Sequence, residues 1–241
     1  MSDAENKKPK AADKDHIDNK YPTKRGFWDK VAARGFLLLT HMSVDMKCIG
    51  RENFPKDNPY VVASNHQSYV DGVLIIDYLP KGHFKHMCCL AASDLETSHG
   101  KLGRLIMRVG RGIAVDRYGN PVRGLIKAKK EVDKGNILFV FPEGTRTASG
   151  KLGELKDGAA YVAAKSNTPM IPVYISGAYQ IWPRQQKKPK PFKGFLKRKK
   201  IRIYVGEPIL PQDYDSDAHK MTDALSKWMH EMEDKHYDPE K

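Results

Sequence analysis

Short runs of apolar residues alternate with longer amphipathic stretches along most of this chain of 241 residues. Residues 137–141 are five consecutive apolar side chains, and residues 60–64 are centred on two valines. Uniformly apolar runs of this length are typical of strands that are buried on both faces, as in parallel sheets. The chain is therefore predicted to adopt an α/β fold.

The predicted strands are apolar or β-branched runs bounded by turn residues. They are residues 60–64, 84–91, 112–115, 137–141, 169–175 and 201–205. The predicted helices place apolar residues at helical spacing, and they are residues 72–79, 121–134, 158–166 and 218–236. Strands that alternate with helices in this way predict a single domain with a largely parallel mixed sheet, covered by helices on both faces.

Two N-terminal segments depart from this pattern. Residues 1–22 are rich in Lys, Asp and Ala and are predicted to be a disordered charged tail. Residues 23–48 combine aromatic and apolar residues with lysines and arginines, a composition typical of a helix that lies in a membrane interface. A first helix packed on the core explains the same spacing equally well. Residues 49–241 are predicted to form the main domain.

The charge of the chain indicates an anionic partner. The formal net charge is +13, and residues 184–202 hold a basic run without a single acidic residue. A solvated loop is the alternative for this run. Nucleic acid is not expected as a partner, because no helix-turn-helix or stacking platform accompanies the run. Attraction to an anionic membrane surface, or to an acidic carrier protein, fits better.

The expected location is the cytoplasmic face of a membrane, with peripheral attachment. The chain begins without the apolar core of a secretory signal, and it has no run of about twenty apolar residues that could span a bilayer. Its three cysteines cannot all pair, and Cys88 and Cys89 are neighbours in sequence. Reduced thiols in a cytosolic chain are therefore predicted.

A histidine and an aspartate follow directly after the predicted strand at residues 60–64. Ligand sites in open α/β sheets lie at the carboxyl ends of strands, which is where His66 is placed. Asp71 is five residues further on and could accept the Nδ1 proton of His66, leaving Nε2 to act as a general base. Asp71 could also cap a helix, because Ser68 and Asp71 resemble part of a capping box. The two roles are compatible.

The strand at residues 137–141 ends in a second candidate loop, Phe141-Pro142-Glu143-Gly144-Thr145-Arg146. Gly144 allows a ligand to approach the backbone closely. Arg146 offers a planar fork of donors suited to phosphate. Arg111 and Arg117 flank a third strand, where exposed salt bridges are the simpler explanation. An ordinary turn with a surface arginine explains residues 141–146 about as well as an anion site.

Together these segments resemble the glycerolipid acyltransferases, the family of 1-acylglycerol-3-phosphate acyltransferase. Residues 65–71 are similar to the H-x4-D block of that family, and residues 112–117, 141–147 and 171–175 resemble three further blocks. The four blocks occur in the family's order, and the resemblance extends over about residues 50–209.

The resemblance implies direct acyl transfer without an acyl-enzyme and without a cofactor. His66 would be the general base and Asp71 would orient it. The substrate-binding residues that the resemblance implies are Arg117, Glu143, Gly144, Thr145 and Arg146. The substrates would be a lysophospholipid, lysophosphatidate first, and an acyl thioester carried by CoA or by acyl carrier protein. Glycerol 3-phosphate or another lysolipid is the alternative acceptor.

Two other functions can be considered from the residues alone. His83, His86, Cys88 and Cys89 lie close together in sequence, but Cys89 points away from Cys88 on a strand and no second pair has finger-like spacing. No metal site is therefore predicted. A non-catalytic basic module that binds anionic membrane or nucleic acid is the alternative from another functional class, and it predicts that His66→Ala has no effect on activity.

Overall fold

The computed structural model describes residues 25–116, 119–186, 188–193 and 197–237. The helices are α1 (Phe27–Ser43), α2 (Asp71–Ile76), α3 (Leu95–Gly110), α4 (Val122–Asp133), α5 (Gly158–Lys165), α6 (Ala178–Ile181) and α7 (Ala218–His236). The strands are β1 (Asp45–Ile49), β2 (Val61–Ser64), β3 (Met87–Ala92), β4 (Gly112–Val115), β5 (Ile137–Val140), β6 (Met170–Ser176), β7 (Phe192–Lys193), β8 (Lys197–Arg198) and β9 (Lys200–Val205). The tail predicted at residues 1–22 lies outside the described residues.

Within these ranges, seven strands form one sheet in the order β1-β9-β6-β2-β5-β3-β4. Strands β6, β2, β5, β3 and β4 are parallel to one another. Strand β9 is antiparallel to β6, and β1 is parallel to β9. Strands β7 and β8 form a separate hairpin. The predicted α/β fold with a largely parallel mixed sheet is confirmed.

The sheet separates two apolar cores. Val62 of β2 and Phe139 of β5 face the core that α2 and α6 cover. Val61 and Leu138, their neighbours in sequence, face the core under α4, α5 and α7. Because alternate side chains of a strand point to opposite faces, both faces of these central strands must be apolar. This explains the continuous apolar runs in the sequence.

Several parts of the fold differ from the sequence predictions or were missed by them, among them helix α6 and the hairpin of β7 and β8. Residues 84–86 belong to a short 3-10 helix, and β3 begins only at Met87. Helix α3 was not predicted, because it contains several glycines and is kinked at Gly100, where φ is +51°. Strand β1 was also missed, since it lies in the segment whose aromatic and basic residues suggested only a helix.

The register of the central strands aligns their carboxyl ends. Ala63 of β2 pairs with Val140 of β5 on one side and with Pro172 of β6 on the other. The connections that follow these three strands therefore leave the sheet at the same edge. This edge carries residues 65–71, residues 141–157 and the segment after β6.

Helix α1 is fixed at its start and apolar on its outer face. The buried guanidinium of Arg25 donates to the carbonyl oxygens of Phe84 (2.5 Å), Met87 (2.7 Å) and Val109. Trp28, Leu38 and Leu39 are 74%, 63% and 63% exposed. Among the described residues, no helix has the length and apolar character needed to cross a bilayer.

Candidate active site

The loop after β2 brings an imidazole and a carboxylate together. Nδ1 of His66 lies 2.9 Å from Oδ2 of Asp71. The side chain of Asp71 is fully buried, whereas 19% of the His66 side chain is exposed. A carboxylate at this distance accepts the Nδ1 proton and makes Nε2 the basic nitrogen of the neutral ring. The pair has the geometry of an oriented general base.

Asp71 also organises the loop that it closes. Its Oδ2 accepts the backbone N–H groups of Gln67 (2.6 Å) and Ser68 (2.7 Å) in addition to the imidazole. The two loop amides and His66 therefore share one carboxylate oxygen at the start of α2.

Two buried amide side chains tie this loop to β6 and its neighbours. The side chain of Asn65 donates to the carbonyl oxygen of Ile175 (3.0 Å) and accepts its N–H (2.7 Å). The side chain of Gln67 donates to the carbonyl oxygen of Gly150 (3.2 Å) and accepts the N–H of Tyr179 (3.2 Å). Both residues belong to the block at residues 65–71, and the spacing within that block does not predict these contacts.

Glu143 joins the loop of His66 to the loop after β5. Its Oε1 accepts the backbone N–H of His66 (2.6 Å), and its Oε2 accepts the N–H of Gly153 (2.9 Å). Burial raises the pKa of Glu143 to about 7, and the two backbone hydrogen bonds oppose this rise. The N–H of Thr147 donates to the carbonyl oxygen of His66 at 2.8 Å and adds a further link.

Aromatic rings position the imidazole and the nearest guanidinium. The His66 ring stacks on Phe141, with ring centroids 3.7 Å apart and an interplanar angle of 11°. The Cζ atom of Arg146 lies 3.4 Å from the ring centroid of Tyr69, the third residue after His66. The Nη1 atom of Arg146 is buried and has no hydrogen-bond acceptor among the described residues. A charged donor in that position suits an anionic ligand.

An open cleft of about 470 Å³ lies beside these loops. Its lining residues are Glu143, Thr145, Arg146, Thr147, Ala148, Ser149, Lys151, Leu152, Gly153, Glu154, Lys156 and Arg184. Gly144 has a φ of +70°, and a Cβ atom there would lie 3.4 Å from Nζ of Lys156. The left-handed φ favours glycine at this turn, and the predicted approach of a ligand to Gly144 stays a prediction.

Comparison with known proteins identifies the family. The family model of the acyltransferases matches residues 45–176, which include every segment of the candidate site before α6. The chain belongs to the acyltransferase family. Its members are enzymes that transfer acyl groups, so the geometry of the site is interpreted in terms of acyl transfer.

Relatives of this acyltransferase include proteins of bacteria, plants and mammals. The 1-acyl-sn-glycerol-3-phosphate acyltransferase of Bacillus subtilis is 28% identical over 216 residues, which are 86% of this chain and 97% of the relative. The chloroplastic 1-acyl-sn-glycerol-3-phosphate acyltransferase BAT2 of Brassica napus is 31% identical over 72% of this chain, and only 46% of the plant protein is covered.

A solved structure supports the fold. The crystal structure of the 1-acyl-sn-glycerophosphate (LPA) acyltransferase, PlsC, from Thermotoga maritima superposes with a TM-score of 0.66 at 25% identity. The match covers 83% of this chain and 76% of the Thermotoga chain.

Two further predicted residues are the arginines that flank the third strand, Arg111 and Arg117. Arg117 lies outside the described residues, so its predicted role stays a prediction. Arg111 was expected to be an exposed salt-bridge partner, but only 9% of its surface is exposed. Its guanidinium forms a salt bridge with Glu131 (3.3 Å). Arg111 precedes β4, and β4 runs toward the site edge, so Arg111 lies at the opposite edge of the sheet, near the start of β5.

The histidines and cysteines near β3 do not form a metal site, and His83 has structural partners. Nδ1 of His83 lies 2.9 Å from the hydroxyl of Tyr60, and its Nε2 lies 3.0 Å from the carbonyl oxygen of Lys56. Burial raises the pKa of Cys88 to about 12 and that of Cys89 to about 11. Across the described ranges, no group of three or more His, Cys, Asp or Glu side chains is arranged to hold a metal ion.

Proposed function

We propose that this acyltransferase moves a fatty acyl group from an acyl thioester to the free hydroxyl of 1-acylglycerol-3-phosphate, which gives phosphatidic acid for phospholipid synthesis. The observation that carries the proposal is the 2.9 Å contact between His66 and Asp71, beside a cleft that Arg146 lines. The names of the Bacillus and Brassica relatives support this acceptor.

The proposed reaction needs one base. Nε2 of His66 takes the proton of the acceptor hydroxyl while the oxygen attacks the thioester carbonyl carbon. The tetrahedral intermediate then expels the thiolate, which takes the proton from the imidazolium. An ester and a free thiol are formed, and His66 is neutral again. Asp71 holds the ring in one tautomer and stabilises its charged form.

The cysteines favour this direct route. Burial raises the pKa of Cys48 to about 11, as it does for Cys88 and Cys89 at about 12 and about 11. Only a thiolate is a good nucleophile, and these thiols are protonated near neutral pH. An acyl-enzyme on cysteine is therefore disfavoured.

The proposal includes a peripheral position at the cytoplasmic face of a membrane. The apolar residues exposed on α1 are Phe27, Trp28, Val31, Phe36, Leu38, Leu39 and Met42. Lys30 and Arg34 on the same helix are exposed cations. A helix of this kind binds in the interface of an anionic bilayer. The acyltransferase would then meet lipid acceptors at the surface where they reside.

The test combines variants with a panel of substrates. Wild-type protein is incubated with lysophosphatidate, glycerol 3-phosphate or another lysolipid, and with acyl-CoA or acyl carrier protein as donor. Product is followed by mass. Lysophosphatidate is expected to be the best acceptor, and His66→Ala is expected to lower kcat by roughly 10²- to 10⁴-fold. Asp71→Asn should also be slow, because the imidazole loses its orientation.

The panel also decides between the alternatives. Turnover in His66→Ala equal to that of the wild type would remove His66 from the mechanism, and absence of acylation of every acceptor by the wild type would favour the non-catalytic binding module. Faster acylation of glycerol 3-phosphate than of lysophosphatidate would identify glycerol 3-phosphate as the acceptor in place of the proposed one. The donor that supports turnover distinguishes CoA from acyl carrier protein.

A further inference from the structure

Three connections at the active-site edge meet around the ring of Tyr69. Arg146, from the loop after β5, stacks on this ring at 3.4 Å. Trp182, from the segment after β6, contacts the ring edge-on, with centroids 5.5 Å apart and an interplanar angle of 63°. Two residues beyond Trp182, the chain reaches Arg184, the first cation of the basic run at residues 184–202.

Arg184 turns toward the cleft. Its Nη1 donates to the hydroxyl of Thr145 at 3.4 Å, and both residues line the cleft together with Arg146. The nearby charge of Arg184 contributes, after burial, to a pKa of Arg146 below its usual value. Two guanidinium groups thus lie near each other in one cleft, and like charges in proximity raise the free energy of the unliganded protein.

The carboxylates of the cleft do not offset these cations fully. The cationic lining residues are Arg146, Lys151, Lys156 and Arg184, and the acidic ones are Glu143 and Glu154. Both oxygens of Glu143 already accept backbone N–H groups. An anion with several oxygen acceptors is the ligand that satisfies two guanidinium groups at once, because each can donate two parallel hydrogen bonds.

We propose that Arg184 is a second phosphate-binding guanidinium, which acts with Arg146 to select an acceptor that carries a phosphate monoester over a neutral one. The inference rests on the proposed function and extends it to a residue outside the segments that resemble the family blocks. Arg146 is the half-buried and stacked partner. Arg184 is the exposed one, which closes on the phosphate from the side of Thr145.

Steady-state kinetics of Arg184→Gln test the proposal, with Lys188→Gln as the matched control. Lys188 is an exposed cation of the same run, and it is absent from the cleft lining. Because Arg184 is exposed, its removal should raise the acceptor KM for lysophosphatidate by about five- to tenfold. The KM for the donor and the rate with neutral monoacylglycerol should stay unchanged. Lys188→Gln should behave as the wild type in all three measurements.

Three kinetic results would overturn the inference. An unchanged KM for lysophosphatidate in Arg184→Gln would show that the phosphate does not reach this residue. A raised KM for the donor alone would assign Arg184 to the phosphates of the thioester carrier. Equal effects of Arg184→Gln and Lys188→Gln would indicate general attraction of anions in place of a specific contact.

A binding measurement separates this inference from the proposed function. Glycerol 3-phosphate is titrated into His66→Ala protein, with and without Arg184→Gln, and the rise in Tm is followed. Stabilisation that is weaker without Arg184 supports the site even if the wild type acylates none of the acceptors. Equal stabilisation of both proteins contradicts it, whatever the outcome of the acylation assay.

Discussion

At the scale of single residues, the candidate site depends on side chains that each serve more than one partner. Oδ2 of Asp71 accepts two loop amides and the imidazole, and the carboxyl group of Glu143 accepts amides from two loops. Shared acceptors of this kind couple the position of a reactive group to the folding of its loop. Substitutions at such residues are therefore expected to change geometry as well as charge.

Tyr69 is expected to position Arg146 for the acceptor. Tyr69→Leu removes the ring under the guanidinium, and loss of a cation–π contact of about 1 kcal/mol predicts a severalfold higher acceptor KM with little change in kcat. Tyr69→Phe retains the ring and should restore most of the affinity. Kinetics with lysophosphatidate compare the two variants. A wild-type KM in Tyr69→Leu would show that the stacking has no role in binding.

Glu143 predicts a specific dependence of stability on pH. Its pKa is about 7 in the folded protein against an ordinary value of 4.5, and burial is the main cause. Between these values the folded state holds one proton more than the unfolded chain. The free energy of unfolding therefore falls as pH rises through this window, and the contribution present below about pH 4.5 is lost above about pH 7.

Glu143→Gln removes this titration, although it weakens one backbone hydrogen bond at every pH. Between about pH 5 and about pH 8, the free energy of unfolding of the wild type should fall by roughly 2–3 kcal/mol more than that of the variant. Urea unfolding followed by circular dichroism measures both slopes. Parallel curves would mean that the Glu143 carboxyl titrates at its ordinary pKa.

At the scale of elements, the end of α7 holds the far wall of the cleft. Oε1 of Glu233 accepts the backbone N–H of Leu152 at 2.6 Å, and the hydroxyl of Tyr237 donates to the carbonyl oxygen of Ser149 at 3.3 Å. The carbonyl oxygen of His236 accepts the hydroxyl of Ser176 at 2.8 Å, which ties the same helix end to β6. The C-terminal helix thus supports the cleft as well as the core.

Removing this support should loosen the cleft wall. Glu233→Ala leaves the amide of Leu152 without its acceptor, a change that typically costs about 1–3 kcal/mol. Hydrogen exchange at residues 149–153 should become faster, and kcat/KM should fall severalfold. Glu231→Ala removes an exposed carboxylate of the same helix and is the control. Equal hydrogen-exchange rates at residues 149–153 in the two variants would show that α7 does not support the cleft wall.

At the scale of the whole molecule, the end of α1 and the candidate site share one edge of the sheet, whereas Arg25, just before α1, contacts Phe84 and Met87 at the opposite edge. Helix α1 ends just before Asp45, which pairs with Lys200 at the start of β9. Because β9 is antiparallel to β6, its start lies beside the end of β6, at the edge that carries the candidate site. A bilayer that contacts the exposed side chains of Leu38, Leu39 and Met42 would therefore lie at this edge of the sheet.

Binding to vesicles tests whether α1 is the membrane anchor. The combined substitutions Trp28→Ser, Leu38→Ser and Leu39→Ser change exposed side chains and should weaken sedimentation with anionic vesicles by tenfold or more, about 1.4 kcal/mol. The control changes two exposed apolar residues on α4, Val122→Ser and Ile126→Ser, and should bind as the wild type. Undiminished binding of the α1 variant would indicate that the basic run at residues 184–202 is the membrane anchor instead.

Prediction from sequence succeeded where a local pattern determines the structure. Strands β2, β5 and β6 are apolar on both faces, and a strand covered by helices on both sides needs that pattern. Strand direction has no such local signal, so the antiparallel pairing of β9 with β6 could not be predicted. The glycines that made α3 look irregular, among them Gly100, are tolerated because the helix packs on α1 and β3.

The candidate site divides in the same way. His66 and Asp71 lie five residues apart on one connection, so their proximity could be expected from the sequence. The contact of Tyr69 with Arg146, the bridge from Glu143 to His66 and the approach of Arg184 to Thr145 join different connections. They depend on the order of strands in the sheet, which spacing along the chain does not contain.

The double hydrogen bond between Asn65 and Ile175 has a consequence for heat inactivation. Asn65 satisfies both main-chain groups of Ile175 as a neighbouring strand would, so the residue before the proposed base behaves as part of the central sheet. Displacing that base then requires a sub-global opening, whose free energy approaches that of complete unfolding. Catalytic competence and native structure should consequently disappear at the same temperature, without an inactive folded stage in between.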